Sequence, residues 1–149
     1  MYLRADPAGL VGATWGATPS GMRSTDMGWP IDPNGLVDVL LDLRDRYGNP
    51  RVYLTENGAY FKEMPDVAGR VDDEERIRYL HDHIAASRTA IAKGANLGGY
   101  FVWTIMDNFE WASGYTATFG LLRVDRATLT RSPKASFDWF AGIIRANAL

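Results

Sequence analysis

A chain of 149 residues with 46% apolar side chains can bury a real core, so the composition argues for one folded domain and against disorder. Its net charge of −2, without a basic run, excludes a surface built to track a phosphate backbone, and nucleic acid is not an expected partner. There is no cysteine, which removes disulfides and thiolate metal sites.

No apolar run approaches the length of a membrane span, so no membrane partner is expected. The opening residues Met1-Tyr2-Leu3-Arg4-Ala5-Asp6 contain no apolar core of a signal peptide, and a cytoplasmic protein is the expectation. His81 and His83 are the two histidines. Spaced i, i+2 on a helical pattern, they project about 200° apart and cannot clamp one metal ion together, so no metal site is expected.

Residues 1–30 are rich in Gly, Pro, Ser and Thr and read as a loop region, either an active-site loop or a segment packed on something outside this chain. Asp32-Pro33 then opens a helix, with Asp as N-cap and Pro in the first turn. Leu36, Val37, Leu40, Leu41 and Tyr47 form its apolar stripe, and Gly48 and Pro50 end it.

Arg51-Val52-Tyr53-Leu54-Thr55-Glu56 reads as a strand, with Val52 and Leu54 suited to burial, and Asn57-Gly58 as a turn that tolerates positive φ. Residues 59–71 are looser. Asp72 caps a long helix, with Glu75 in a capping-box arrangement. Ile77, Leu80, Ile84 and Ile91 share one face, Arg76, Arg78, Asp82 and Lys93 suit the wet side, and Gly94 terminates the helix.

Leu97 through Thr104 is nearly all apolar, as expected of a strand covered on both faces. Residues 105–118 read as a loop and 119–125 as a peripheral extended piece. Ser132-Pro133 opens a last helix with Phe137, Phe140, Ile143 and Ile144 facing inward. The order helix, strand, helix, strand, helix implies a parallel α/β sheet. Two strands cannot make such a sheet stable alone, so the pattern suggests part of a larger one.

Two carboxylates carry candidate chemistry. Glu56 stands where a strand ends, the position of catalytic side chains in parallel barrels, and it reads equally as a surface residue of a turn. Glu110 follows the second strand among Trp103, Phe109, Trp111, Tyr115 and Phe119. Aromatic faces beside carboxylates suit sugar rings, although the same composition describes a core edge with one snorkelling Glu. Asp107-Asn108 reads either as part of this candidate chemistry or as a mere pair of turn residues. No Gly-rich phosphate-binding motif occurs, and no cofactor is expected. Two histidines on one helix serve Ser/His/Asp catalysis poorly.

Tyr53-Leu54-Thr55-Glu56-Asn57-Gly58-Ala59 resembles the nucleophile signature of glycoside hydrolase family 1, the β-glucosidases. Thr25 through Trp29, Pro33 through Leu36, Asp73 through Ile91, Gly99 through Trp103 and Asp107 through Trp111 resemble further family segments in the family's order. Gly114-Tyr115, Phe119-Gly120-Leu121, Val124-Asp125, Pro133-Lys134 and Trp139 complete the match, which covers nearly the whole chain.

The resemblance implies the C-terminal part of a (β/α)8 TIM barrel, incomplete as given, over residues 1–149. It implies a retaining β-glucosidase acting on terminal non-reducing β-D-glucosyl residues. Glu56 would be the nucleophile. Glu110 would bind the O4 and O6 hydroxyls, Trp111 would donate its indole N–H to the sugar, and Trp103 would be the stacking platform. Tyr115 and Phe119 would shape the wall.

The family's acid/base Glu lies in a Thr-x-Asn-Glu-Pro motif that these residues lack, and the remaining glutamates are Glu63, Glu74 and Glu75. The family's upstream Gln and His sugar ligands are also absent, as are the Tyr and Arg that keep the nucleophile ionised. Thr118 stands where the family usually has Arg or Lys. The expected partners are thus a β-glucoside substrate and an N-terminal part of the barrel. The alternative is a catalytically inactive remnant or weak carbohydrate-binding module.

Overall fold

The computed structural model describes residues 2–149. They fall into two compact units, Met1–Asp32 and Pro33–Leu149. The first was expected to be loop. Its opening half is instead a hairpin, in which β1 (Tyr2–Ala5) pairs antiparallel with β2 (Ala13–Gly16). The high Gly content that suggested a loop serves the connecting turn. Gly9 lies so close to the Ala13 carbonyl that a Cβ would overlap it, and Gly12 takes φ +71°. A second turn follows, where the Thr25 N–H donates to the Trp29 carbonyl and Gly28 takes φ +76°.

The second unit begins with α1 (Pro33–Tyr47), Pro33 leading as expected. Val37 and Leu40 are buried, whereas Tyr47, assigned to the same stripe, is two-thirds exposed. β3 (Val52–Asn57) follows, then α2 (Glu74–Ala92) and β4 (Leu97–Val102), which pairs with β3 in parallel. Val37, Leu40, Ala86, Ala90 and Ala95 form the helix–helix core, with Leu36, Leu41, Val52 and Leu97 packed against it. At the far end, Asn49 donates to the Gly94 carbonyl and accepts from the Asn96 N–H, and Arg44 donates to the Lys93 carbonyl. These bonds tie the C-termini of the two helices together.

α2 departs from its expected faces. It starts at Glu74 with Asp73 at the N-cap position, and no side chain caps it. The buried residues are Arg76, Tyr79, Leu80, His83, Ala86, Ser87 and Ala90, while Ile91 is half exposed. Arg76, read as solvated, is 1% exposed. The buried stripe keeps the helical period, but small and paired polar residues occupy positions that hydropathy reads as wet.

β4 is not covered on both faces. Among the described residues β3 is its one strand partner, and Phe101 is more than half exposed. The chain then forms a single 3-10 turn at Trp111–Ser113 inside the expected loop. β5 (Leu122–Val124) pairs antiparallel with β6 (Arg131–Pro133). Ser132-Pro133 therefore belongs to a strand rather than a helix start, and a Pro is tolerated there because an edge strand loses no ladder bond to it.

α3 (Ala135–Ala146) begins after Lys134. Its Phe137, Phe140 and Ile143 are half-buried, and Ile144, expected to face inward, is exposed. Ile84, Ile91, Tyr100, Phe140, Ile143 and Ile144 line an open groove of about 420 Å³ between α2, β4 and α3. No helix among the described residues is long and apolar enough to cross a membrane.

Gly58 has a role other than the expected positive φ, which neither Asn57 nor Gly58 adopts. A Cβ on Gly58 would sit 1.6 Å from the Trp103 carbonyl oxygen. The glycine lets the chain leaving β3 pass against the backbone at the end of β4. Gly58→Ala is expected to lower stability by at least about 1–3 kcal/mol, the scale of overpacking, read as a drop in the urea midpoint at unchanged m-value.

Candidate active site

β3 delivers Glu56 through an irregularity. Leu54 pairs with Tyr100 and Asn57 with Val102, so β3 carries one residue more than β4 across that interval. The alternation that half-buries Val52 and Leu54 is interrupted there, and Thr55 and Glu56 are both exposed. Bulges of this kind bend a strand and re-aim a side chain. The expected turn at Asn57-Gly58 is thus a bulged strand end.

Asn57, next in sequence, is clamped on both sides. The Tyr100 hydroxyl donates to its Oδ1 at 2.6 Å, and its Nδ2 donates to the Tyr79 hydroxyl at 3.4 Å. Burial pushes both phenols above their usual range, so both stay protonated hydrogen-bonding groups at neutral pH. Tyr79 stacks on His83 at 4.0 Å between centroids, and the His83 Nδ1–H donates to the Tyr79 carbonyl at 2.7 Å. His81 lies on the exposed side beside Asp82. The Asn57 carbonyl in turn accepts from the Trp103 N–H at 3.0 Å. Trp103, about one-third exposed, is thereby fixed to the strand end that carries Glu56.

Glu110 and Trp111 stand on the segment leaving β4. Glu110 is half-buried and precedes the 3-10 turn, its N–H donating to the Gly114 carbonyl at 2.6 Å. Trp111 takes φ +39° and is highly exposed. Phe109 meets Tyr115 edge-on at 5.5 Å, and the Arg126 guanidinium lies 4.2 Å over the Tyr115 ring. Arg126 also donates to the Asp107 carbonyl at 2.8 Å. Phe119 is buried and Tyr115 exposed. All four sequence candidates, Glu56, Trp103, Glu110 and Trp111, therefore lie at or beyond the C-terminal ends of two parallel neighbours.

Beneath these segments is a buried charge cluster that the sequence reading missed. Arg76 forks onto both Glu63 oxygens at 2.8 and 2.9 Å and donates through Nε to Asp73 at 2.9 Å. It also donates to the carbonyls of Ala59, Thr118 and Phe119. Lys134 bridges Glu63 at 3.5 Å and Asp107 at 3.1 Å. Asp107 accepts from the Gly120 N–H as well, so it anchors the loop and is more than the turn residue that was one of its two readings. Asp73 accepts from the Ser136 N–H and hydroxyl, joining the start of α2 to the start of α3. Its carboxylate is occupied there, which is why it does not cap its own helix. No group of His, Asp and Glu able to hold a metal occurs among the described residues.

Residues 13–149 match the glycosyl hydrolase family 1 sequence profile. The chain belongs to glycosyl hydrolase family 1. It is 45% identical over 128 residues to β-glucosidase A of Thermotoga maritima, a match covering 86% of this chain and 29% of that protein. A bifunctional β-D-glucosidase/β-D-fucosidase of Bifidobacterium breve is 42% identical over 130 residues, or 85% of this chain and 28% of that protein. The solved family 1 β-glucosidase from Thermotoga maritima superposes with a TM-score of 0.91 at 39% identity, covering 99% of this chain and 33% of that one. The chain thus spans less than a third of the length of these curated relatives. For this family 1 chain the match extends over both helix–strand units and over the segments bearing Glu56 and Glu110.

Desolvation, opposed by Arg76 and Lys134, holds the Glu63 carboxyl above the usual carboxylate range. A carboxyl raised on folding favours the folded state when protonated. That contribution is full below its unfolded value and is lost as pH rises through the folded value. Glu63→Gln should remove it. The stability difference between wild type and Glu63→Gln is expected to change across the window just above the ordinary Glu range and to be flat at higher pH, measured by urea titration at a series of pH values.

Proposed function

We propose that this chain is the C-terminal part of a (β/α)8-barrel retaining β-glucosidase acting on terminal non-reducing β-D-glucosyl residues. Family membership supports the reaction class, and the exposed carboxylate at the bulged end of a parallel strand is the observation that carries the assignment of Glu56. Glu56 attacks the anomeric carbon and forms a glycosyl-enzyme, which water then hydrolyses. Trp103 offers an aromatic face, Glu110 accepts hydrogen bonds from sugar hydroxyls, and Trp111 donates its indole N–H. Nothing in this role calls for a cofactor.

A retaining site needs a second carboxyl group about 5–5.5 Å from the first to protonate the leaving oxygen. Glu63 is committed to Arg76 and Lys134, and Glu74 and Glu75 open a helix. The acid/base therefore comes from barrel residues outside these 149. The exposed strand face and the groove between α2 and α3 are surfaces that such neighbouring elements would cover. The lack of a Thr-x-Asn-Glu-Pro motif also favours a second reading, in which the chain alone is an inactive remnant or weak sugar binder.

Hydrolysis of an aryl β-glucoside separates the two. The 149-residue chain is expected to show no turnover above background by itself. Turnover is expected when the chain is joined to the remaining barrel of a family 1 relative, and Glu56→Gln should then cut kcat by at least about 10⁴-fold. Continued turnover in that variant would reject Glu56 as nucleophile. In the same assembly, Glu110→Gln and Trp103→Ala are expected to raise KM for the glucoside, with Gln at position 110 costing about 1.5–3 kcal/mol as a lost charged hydrogen bond.

A further inference from the structure

Arg76 is buried, and it touches both segments that carry the proposed site residues. We infer that Arg76 is a positioning residue whose buried guanidinium registers the segment leaving β3 against the loop leaving β4. The inference rests on the reading of Glu56 and Glu110 as site residues for its functional meaning, though not for its test.

A guanidinium has five N–H donors in a fixed plane. Here each has a partner. Nε meets Asp73, Nη1 meets the Ala59 and Phe119 carbonyls, and Nη2 meets Glu63 and the Thr118 carbonyl. Ala59 is three residues beyond Glu56 and fully buried. Thr118 and Phe119 close the loop that began at Trp103 and holds Glu110. One rigid group in the first turns of α2 therefore grips the exit of β3 and the return of the β4 loop together.

The group cannot drift out of this arrangement, because at 1% exposure an unpaired charge there has no water to replace a lost partner. The charges facing it are Asp73 from the start of α2, Glu63 from the segment after β3, and Lys134 with Asp107 across Glu63. Lys134 also spans the two segments, through its ion pairs to Glu63 and Asp107, but it holds side chains and not the backbone. Arg126, by contrast, donates to the Asp107 carbonyl and lies over Tyr115, both on the β4 loop. A lysine in place of Arg76 would keep the charge but offer a point of three donors instead of a planar fork.

NMR relaxation of the 149-residue chain tests this. In wild type, backbone order parameters across 58–63 and 103–121 are expected near 0.85, the value of rigid backbone. Arg76→Lys should lower both segments together to below about 0.6 while α1 and the core of α2 keep their values. Arg126→Gln should loosen 105–120 and leave 58–63 unchanged. A uniform fall that includes α1, a fall in one segment alone under Arg76→Lys, or no change overturns the inference. Should Arg76→Lys fail to fold, the unmodified chain decides. A locked guanidinium gives separate, slowly exchanging Nη–H signals, and a single averaged signal counts against it. Absence of glycoside hydrolysis in the preceding assay would reject the glucosidase reading and leave this coupling standing. Independent loops would reject the coupling and leave the role of Glu56 untouched.

Discussion

A guanidinium removed from water must find all of its partners in protein, and the second unit is arranged around meeting that demand at Arg76. Its ligands come from the segment after β3, from the N-terminus of α2 and from the loop after β4, so that a neighbour three residues away is joined to carbonyls 42 and 43 residues away. Breaking one partner of a buried pair typically costs about 3–5 kcal/mol, whereas the intact cluster adds little over apolar packing. The cluster is therefore better understood as a specifier of geometry than as a source of stability. Lys134 and Ser136 extend it to the start of α3, so that the last helix is docked by the same charges that fix the loops.

On the proposed reading, this rigidity serves a reaction that tolerates little misplacement. A nucleophile must stand within bonding reach of one carbon while aromatic and acidic groups hold the rest of the sugar. Glu56 is turned outward by a bulge, and the next residue is held by two buried phenols. Trp103 is bonded to that same residue through the backbone. The platform and the nucleophile thus share a single anchor at Asn57, and Gly58 leaves the space for their approach. The loop bearing Glu110 is held further by the bonds of Asp107 to Lys134 and the Gly120 N–H, and by Arg126 across Tyr115.

On the proposed reading as part of a barrel, the exposed sheet of the second unit is coherent. A two-stranded parallel sheet exposes one face and both edges, and its exposed aromatics suit contact with further barrel elements. The matches along the chain cover 29% and 28% of the two relatives, and on the proposed reading the acid/base lies in the remainder of such a barrel.

By itself the sequence determined the elements whose signals are local. Pro33 and Gly48 bounded α1, strands expected at 51–56 and 97–104 were found at Val52–Asn57 and Leu97–Val102, and the ordered motifs pointed to the family. Tertiary structure alone decided what depends on partners distant in the chain. It turned part of an expected loop into a hairpin and made Ser132-Pro133 a strand through pairing with Leu122 and Arg123. It also buried Arg76 and made Asp107 an anchor, because a charge may leave water only where others converge to meet it. No periodicity along one helix can announce that convergence, since its members lie on segments that meet only after the chain has folded.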